Sequence, residues 1–132
     1  MSNLLVFGFA QPKLVNANKE VELPFKAGEW FKFRIHYGFF NASYATLELT
    51  KDTLNGTPVL HAKGYGTTTG LLRWFFKVED HYESYFDTVT GVPYKSIRNI
   101  DEGGYTKDIE IDFDQETKQA LVYNKKKNTK AF

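Results

Sequence analysis

Apolar and polar residues alternate one by one along most of this chain. In "EWFKFRIHY" (29–37), Phe31, Phe33, Ile35 and Tyr37 interleave with Trp30, Lys32, Arg34 and His36. A two-residue period belongs to a strand that buries one face. The same period returns in "SYATLEL", with Ala45, Leu47 and Leu49 on one side, and in "LHAKGYG", with Leu60, Ala62 and Gly64. It returns again in "YTKDIEIDF", where Ile109, Ile111 and Phe113 face away from Asp108, Glu110 and Asp112. The pattern predicts strands over about 29–37, 42–50, 59–67, 76–86, 94–100, 105–113 and 120–124. Between them lie turn clusters: "GFFN", "KDTLNGTP" with its Asn-Gly, "DTVTGVPY", "DEGG" and "DQETKQ". The rhythm breaks at "TTTGLLRWFF" (67–76), which reads as one helical turn or a wide connection.

Strand-turn-strand with so little helix implies an antiparallel meander. About seven such strands form a curled sheet or partial barrel. Two turns share Phe-Asp-x-x-Thr, at "FDTVT" and "FDQET"; the shared feature is an aspartate that bonds its own turn. Residues 25–132 read as one β domain. Residues 11–28, with Pro12, Pro24 and Gly28, read as an extended lead-in. The closing "KKKNTKAF" starts a new alternation without a stop signal, as if the domain lacked its C-terminal part.

Composition adjusts this picture in three ways. Aromatic residues make up 17% of the 132, which favours pleated, half-buried surfaces. The net charge is +1, yet "KKKNTK" (125–130) holds four positive charges, so the rest sums to about −3. That balance excludes a nucleic-acid partner, which needs a basic face. The absence of cysteine excludes disulfides and thiol chemistry. At the N-terminus, "LLVFGFA" (4–10) is a short apolar run ending in small residues, without a basic segment before it. It reads as the remnant of a secretory signal within 1–24, or as an ordinary first strand. It is too short to span a bilayer.

The stretches "FKAGEWFKFRIHYGFFNASYATLEL" (25–49), "GYGTTTGLLRWFFKVEDHYESYFD" (64–87), "TGVPYKSIRNIDEGGYTKDIEIDFD" (90–114) and "YNKKKN" (123–128) resemble the family called domain of unknown function 3108. The shared marks include Gly28, Glu29, Phe31, Phe33, Tyr37, Gly38 and Ala42, and the more specific "VEDHYESYFD" with "TGVPY". The resemblance covers about residues 25 to 132. It implies an exported protein of Gram-negative bacteria, often of the Bacteroidetes type, in the periplasm or cell envelope and built mostly of antiparallel strands. It brings no established activity, and it implies a partial chain, because members generally run further.

Candidate chemistry is sparse. His36, His61 and His81 fall on the non-core side of their strands and read as exposed sheet-face residues. If Phe33 faces Leu47 and His36 faces Tyr44, then Glu48 comes near His61 and Tyr44 near Tyr65. His36 and His61 are then roughly 13 Å apart, too far to share a metal. That register makes a row Lys32–Glu48–His61, read as charge pairing, and a cluster of Arg34, His36, Tyr44 and Tyr65. The cluster suits a sugar or another flat ligand, or is an aromatic ladder that stiffens the sheet. Arg73 and Trp74 sit in the wide connection. Trp74 either caps the mouth of an apolar cavity or plugs it as core. Glu110 and Asp112 stand roughly 6.7 Å apart on one face, close to the spacing of hydrolytic carboxylate pairs. No phosphate loop, nucleophile elbow or zinc motif occurs, so no cofactor or metal is implied. The leading expectation is a non-catalytic domain for an apolar or amphipathic envelope ligand: lipid, lipoprotein or glycolipid. A glycan- or protein-interaction module on the polar face is the alternative, and a hydrolase the third.

Overall fold

The computed structural model describes residues 23–37 and 40–132. The expected signal remnant and most of the lead-in lie outside these residues. Eight strands form one antiparallel sheet: β1 (Trp30–Tyr37), β2 (Phe40–Leu54), β3 (Thr57–Thr68), β4 (Val78–Asp87), β5 (Pro93–Glu102), β6 (Tyr105–Asp114), β7 (Gln119–Asn124) and β8 (Thr129–Ala131). Their order in the sheet is their order in the chain, and β1 does not meet β8. The meander expected from the alternation is therefore present and open, with one more strand than the seven expected. The extra strand is the start of alternation at "NTKAF".

Turn chemistry explains the hairpins. Asn55 and Gly56 take φ of 50° and 82°, the left-handed pair that suits the twist of a two-residue hairpin. Gly103 and Gly104 repeat this between β5 and β6, with φ of 58° and 90°. The Phe76 ring fills the space where a side chain at Gly103 would go. In both Phe-Asp-x-x-Thr turns the aspartate bonds its own loop, as the repeat suggested. Asp87 Oδ1 accepts from the Val89 and Thr90 amides at 2.9 and 2.6 Å, and Asp114 Oδ1 from those of Glu116 and Thr117 at 2.8 and 3.0 Å.

The register differs from the expected one by two residues. Phe33 faces Ala45, and Leu47 faces Phe31. Across β2 and β3, Glu48 faces Lys63 and His61 faces Thr50. Between β2 and β3 the cause is the length of β2. Lys51, Asp52 and Thr53 were expected in a turn, but they pair with Leu60, Val59 and Pro58, so the turn shrinks to Asn55-Gly56. A strand slip of two keeps each side chain on its face, so the division of faces survives.

The sheet has an apolar face (Phe31, Leu47, Leu49, Leu60, Phe86, Ile111) and a polar one (Lys32, Glu48, His61, Glu83, Glu110). It curls enough for the β2–β3 turn, through Leu54, Asn55 and Thr57, to share a hollow of 580 Å³ with Lys95, Asp112 and Phe113. The buried apolar core among the described residues is small: Leu49, Val59, Leu60 and Ile100. Leu49 and Leu60 lie at the end of the apolar face where the 23–29 segment packs. There Phe25 meets Phe86 edge-on at 5.4 Å, and Leu23 lies against Gly91. Away from it, Phe31, Phe33, Ile35 and Leu47 are exposed. Among the described residues, no second layer packs on the sheet to bury them.

The irregular segment 67–76 resolves as a helix, α1 (Gly70–Phe75). Thr68 ties its two ends. The buried hydroxyl donates to the Phe76 carbonyl at 3.0 Å and accepts from the Val78 amide at 2.9 Å.

Candidate functional site

Two places on the sheet concentrate chemistry. The first is a charge network on the polar face. His61 was expected to be exposed, but it is 3% exposed. Its Nδ1 lies 3.1 Å from Asp52 Oδ2 and its Nε2 lies 2.7 Å from Glu83 Oε2. Tyr85, directly across from it on β4, stacks on the imidazole at 4.0 Å and donates its hydroxyl to Glu83 at 3.0 Å. Burial, and then the bond to Glu83, push the Tyr85 phenol up to about 12. The Thr53 amide, at 2.7 Å, and then His61 hold the Asp52 carboxyl below its usual range. Both ring nitrogens are engaged by carboxylates, so neither is free to act on a substrate. The imidazole is a crosslink between β2, β3 and β4.

Two strands further on, Lys95 bonds Glu110 and lies 3.5 Å from Asp112, while Lys125 reaches Glu110 at 2.7 Å. Lys125 and then Lys95 hold the Glu110 carboxyl low, and Glu110 raises both lysines. A carboxylate fixed in its anionic form by two ammonium groups is a poor proton donor. Lys95 bridges the pair that suggested hydrolysis.

The Asp87 carboxyl is held well below its usual range. The Thr90 and Val89 amides, the Thr90 hydroxyl and Tyr94 bring it to about 2. Its folded-state value lies below its usual 3.8, so its stabilisation is complete above about pH 4 and disappears as pH falls toward 2. Asp87→Asn should therefore flatten the loss of stability across that interval while changing little below it. Denaturant midpoints measured from pH 6 to pH 2 check this; parallel curves for the two proteins would contradict it.

The expected recognition cluster is partly assembled. Arg34 faces Tyr44 across β1 and β2, with its guanidinium 5.0 Å from the ring centre, and the Lys32 ammonium is 5.1 Å from the same ring. Tyr65 is a diagonal neighbour of Tyr44, but it faces Thr46 and its ring meets His81 at 4.7 Å. His36 faces Asn41, beyond a register irregularity, and not Tyr44 as expected. Arg73 is drawn toward the sheet, where it donates to Thr67 at 3.0 Å and meets Glu79 at 3.3 Å. Trp74 is 89% exposed and lines neither the apolar groove nor a core. With it on α1 stand exposed Leu71 and Phe75.

The second place is a groove on the apolar face, with a volume of 440 Å³, lined by Phe25, Phe31, Leu47, Leu49, Ala62 and Phe86 and by Glu29 at its rim. Sequence reasoning placed the strand residues among these on the apolar face of a curled sheet, and did not single out Phe25. Their signal was the alternation itself; what it could not show is that Phe31 and Leu47 stay exposed beside the buried Leu49.

The family model described as "Protein of unknown function (DUF3108)" matches residues 32–131. The chain belongs to that family. No curated protein and no solved structure matches it. The DUF3108 match spans β2 through β8 and α1 entirely, together with β1 from Lys32 onward, so both the groove and the His61 network are built chiefly from family residues. Among the described residues, no helix is long and apolar enough to cross a membrane, and no group of His, Cys, Asp and Glu could hold a metal ion.

Proposed function

We propose that this domain binds an apolar or amphipathic ligand of the cell envelope, such as a lipid, lipoprotein or glycolipid, in a Gram-negative periplasm, without catalysing a reaction on it. The observation that carries the reading is the 440 Å³ groove on the apolar face, with Glu29 its one charged lining residue. A concave site of several hundred cubic ångströms with few polar groups is the usual form of a small-molecule pocket. The apolar run at 4–10 supports export. The exposed Leu71, Trp74 and Phe75 of α1 support it further, because such side chains favour the interface between water and lipid. The neutralised Glu110–Asp112 pair favours binding over hydrolysis.

The chain, incubated with envelope lipid extract, should carry lipid in native mass spectrometry. It should also bind an environment-sensitive dye that lipid displaces. Leu47→Glu places a charge in the groove at an exposed position and should weaken dye binding by at least about tenfold. A protein that carries no lipid and shows no lipid-competable dye binding would rule the reading out.

A further inference from the structure

The two edges of the sheet differ. β8 has three residues, Thr129–Ala131, with Lys130 among them. A short strand bearing a cation is a poor template for further pairing. β1 has eight residues and no proline, and no described strand pairs with its outer side. Its register with β2 is regular from Trp30 to Ile35, so the outward amide and carbonyl groups of that stretch keep strand spacing. Phe31, Phe33 and Ile35 stand exposed on one face of it. On the other, Lys32 and Arg34 lie over Tyr44, and neither makes an ion pair among the described residues. The nearest acid of β2, Glu48, faces Trp30.

We propose that the outer edge of β1 accepts an extended strand from a partner protein, one that alternates acidic and apolar residues. In such strand addition the backbone bonds supply affinity and alternate side chains supply specificity. The acidic residues stand opposite Lys32 and Arg34, and the apolar ones cover Phe31, Phe33 and Ile35. A second copy of this chain does not fit. Antiparallel self-pairing centred on Phe33 sets Lys32 against Arg34, and centring on Lys32 or Arg34 sets each against itself. Pairing with β8 brings Lys130 to the same face, since it lies in the Tyr123 row. Like charges directly opposite one another destabilise a strand pair. The required chemistry does exist inside this sheet, in β6, where Asp108, Glu110 and Asp112 alternate with Ile109, Ile111 and Phe113. Both sides of β6 are already paired, so it serves here as a pattern only. The site shares Phe31 with the groove, but its backbone edge and its Lys32 and Arg34 lie outside it, so it does not depend on the ligand reading.

The test uses a labelled peptide copied from residues 107–115, "KDIEIDFDQ", and a version with Asp108→Lys, Glu110→Lys and Asp112→Lys. Each is titrated into the full chain by fluorescence anisotropy, and amide NMR shifts locate the contact. The acidic peptide should bind at least about tenfold tighter than the lysine version, with shifts along β1. The double variant K32E/R34E, altered only at exposed positions, should reverse the preference. Equal affinities, a preference unchanged in the double variant, shifts confined to Leu49 and Phe86, or no binding of either peptide would each overturn the proposal.

Discussion

His61→Ala should lower the free energy of unfolding by about 3 kcal/mol, read as a shift of the denaturant midpoint at unchanged slope. Three losses combine. The imidazole makes two bonds to carboxylates, at 3.1 and 2.7 Å, and charge-assisted bonds are the stronger class. It also loses a parallel stack on Tyr85 at 4.0 Å, worth on the order of 1 kcal/mol. Finally, the substitution leaves Asp52 and Glu83 turned toward the same vacated space, with like charges and no proton between them. Partial exposure of both acids limits the damage, because water can reach them. The neutral ring has one donor nitrogen, so both contacts are hydrogen bonds only when the ring carries two protons or a carboxyl supplies one. His81→Ala is the matched control: that ring is exposed and stacks only on Tyr65. It should cost under about 1 kcal/mol. Equal shifts for the two variants would show that His61 is not the crosslink described.

Leu60→Ala should cost a similar amount, about 3 kcal/mol, for an apolar reason. Leu60 lies across from Phe86 and borders the hollow shared with Leu23 and Phe25. Truncating it removes transfer energy and leaves a void that the sheet cannot close, because strand spacing is set by backbone bonds. With four buried apolar residues among those described, this core has little in reserve. Against a typical domain stability of about 5–15 kcal/mol, one such loss is a large share. Denaturant unfolding measures it, and amide exchange should quicken first in β3 and in the 23–29 segment that rests there. A loss below about 1 kcal/mol would mean that this end of the sheet is not the packed one.

How far the sequence was legible follows from which forces act locally. Alternation located the strands, and the turn residues located the hairpins, because both depend on a few neighbours. Asn55-Gly56 and Gly103-Gly104 declared their turns outright. Register was harder. "KDT" at 51–53 is as polar as a loop, and only its pairing with Pro58, Val59 and Leu60 makes it strand. That misreading placed Glu48 beside His61 and hid the true partners. With the observed register, Tyr85 stands directly across from His61, and Asp52 and Glu83 are its diagonal neighbours on the same face. The burial of that histidine is thus a cross-strand property that parity alone cannot reveal. The groove was illegible for a different reason: a periodic apolar face looks the same whether something covers it or not.

The sequential strand order bears on how the sheet is made. Every pairing joins strands adjacent in the chain, from β1–β2 through β7–β8. Closing each hairpin costs only the entropy of a short loop, so no step must wait for distant segments to meet. Sheets with Greek-key or parallel connections bear that delay, and their folding slows accordingly. Here any hairpin can serve as the nucleus and the rest can add one strand at a time in either direction. The longest excursion, β3 to β4 through α1, is the widest loop such a zipper must close, and Thr68 fastens both ends of it.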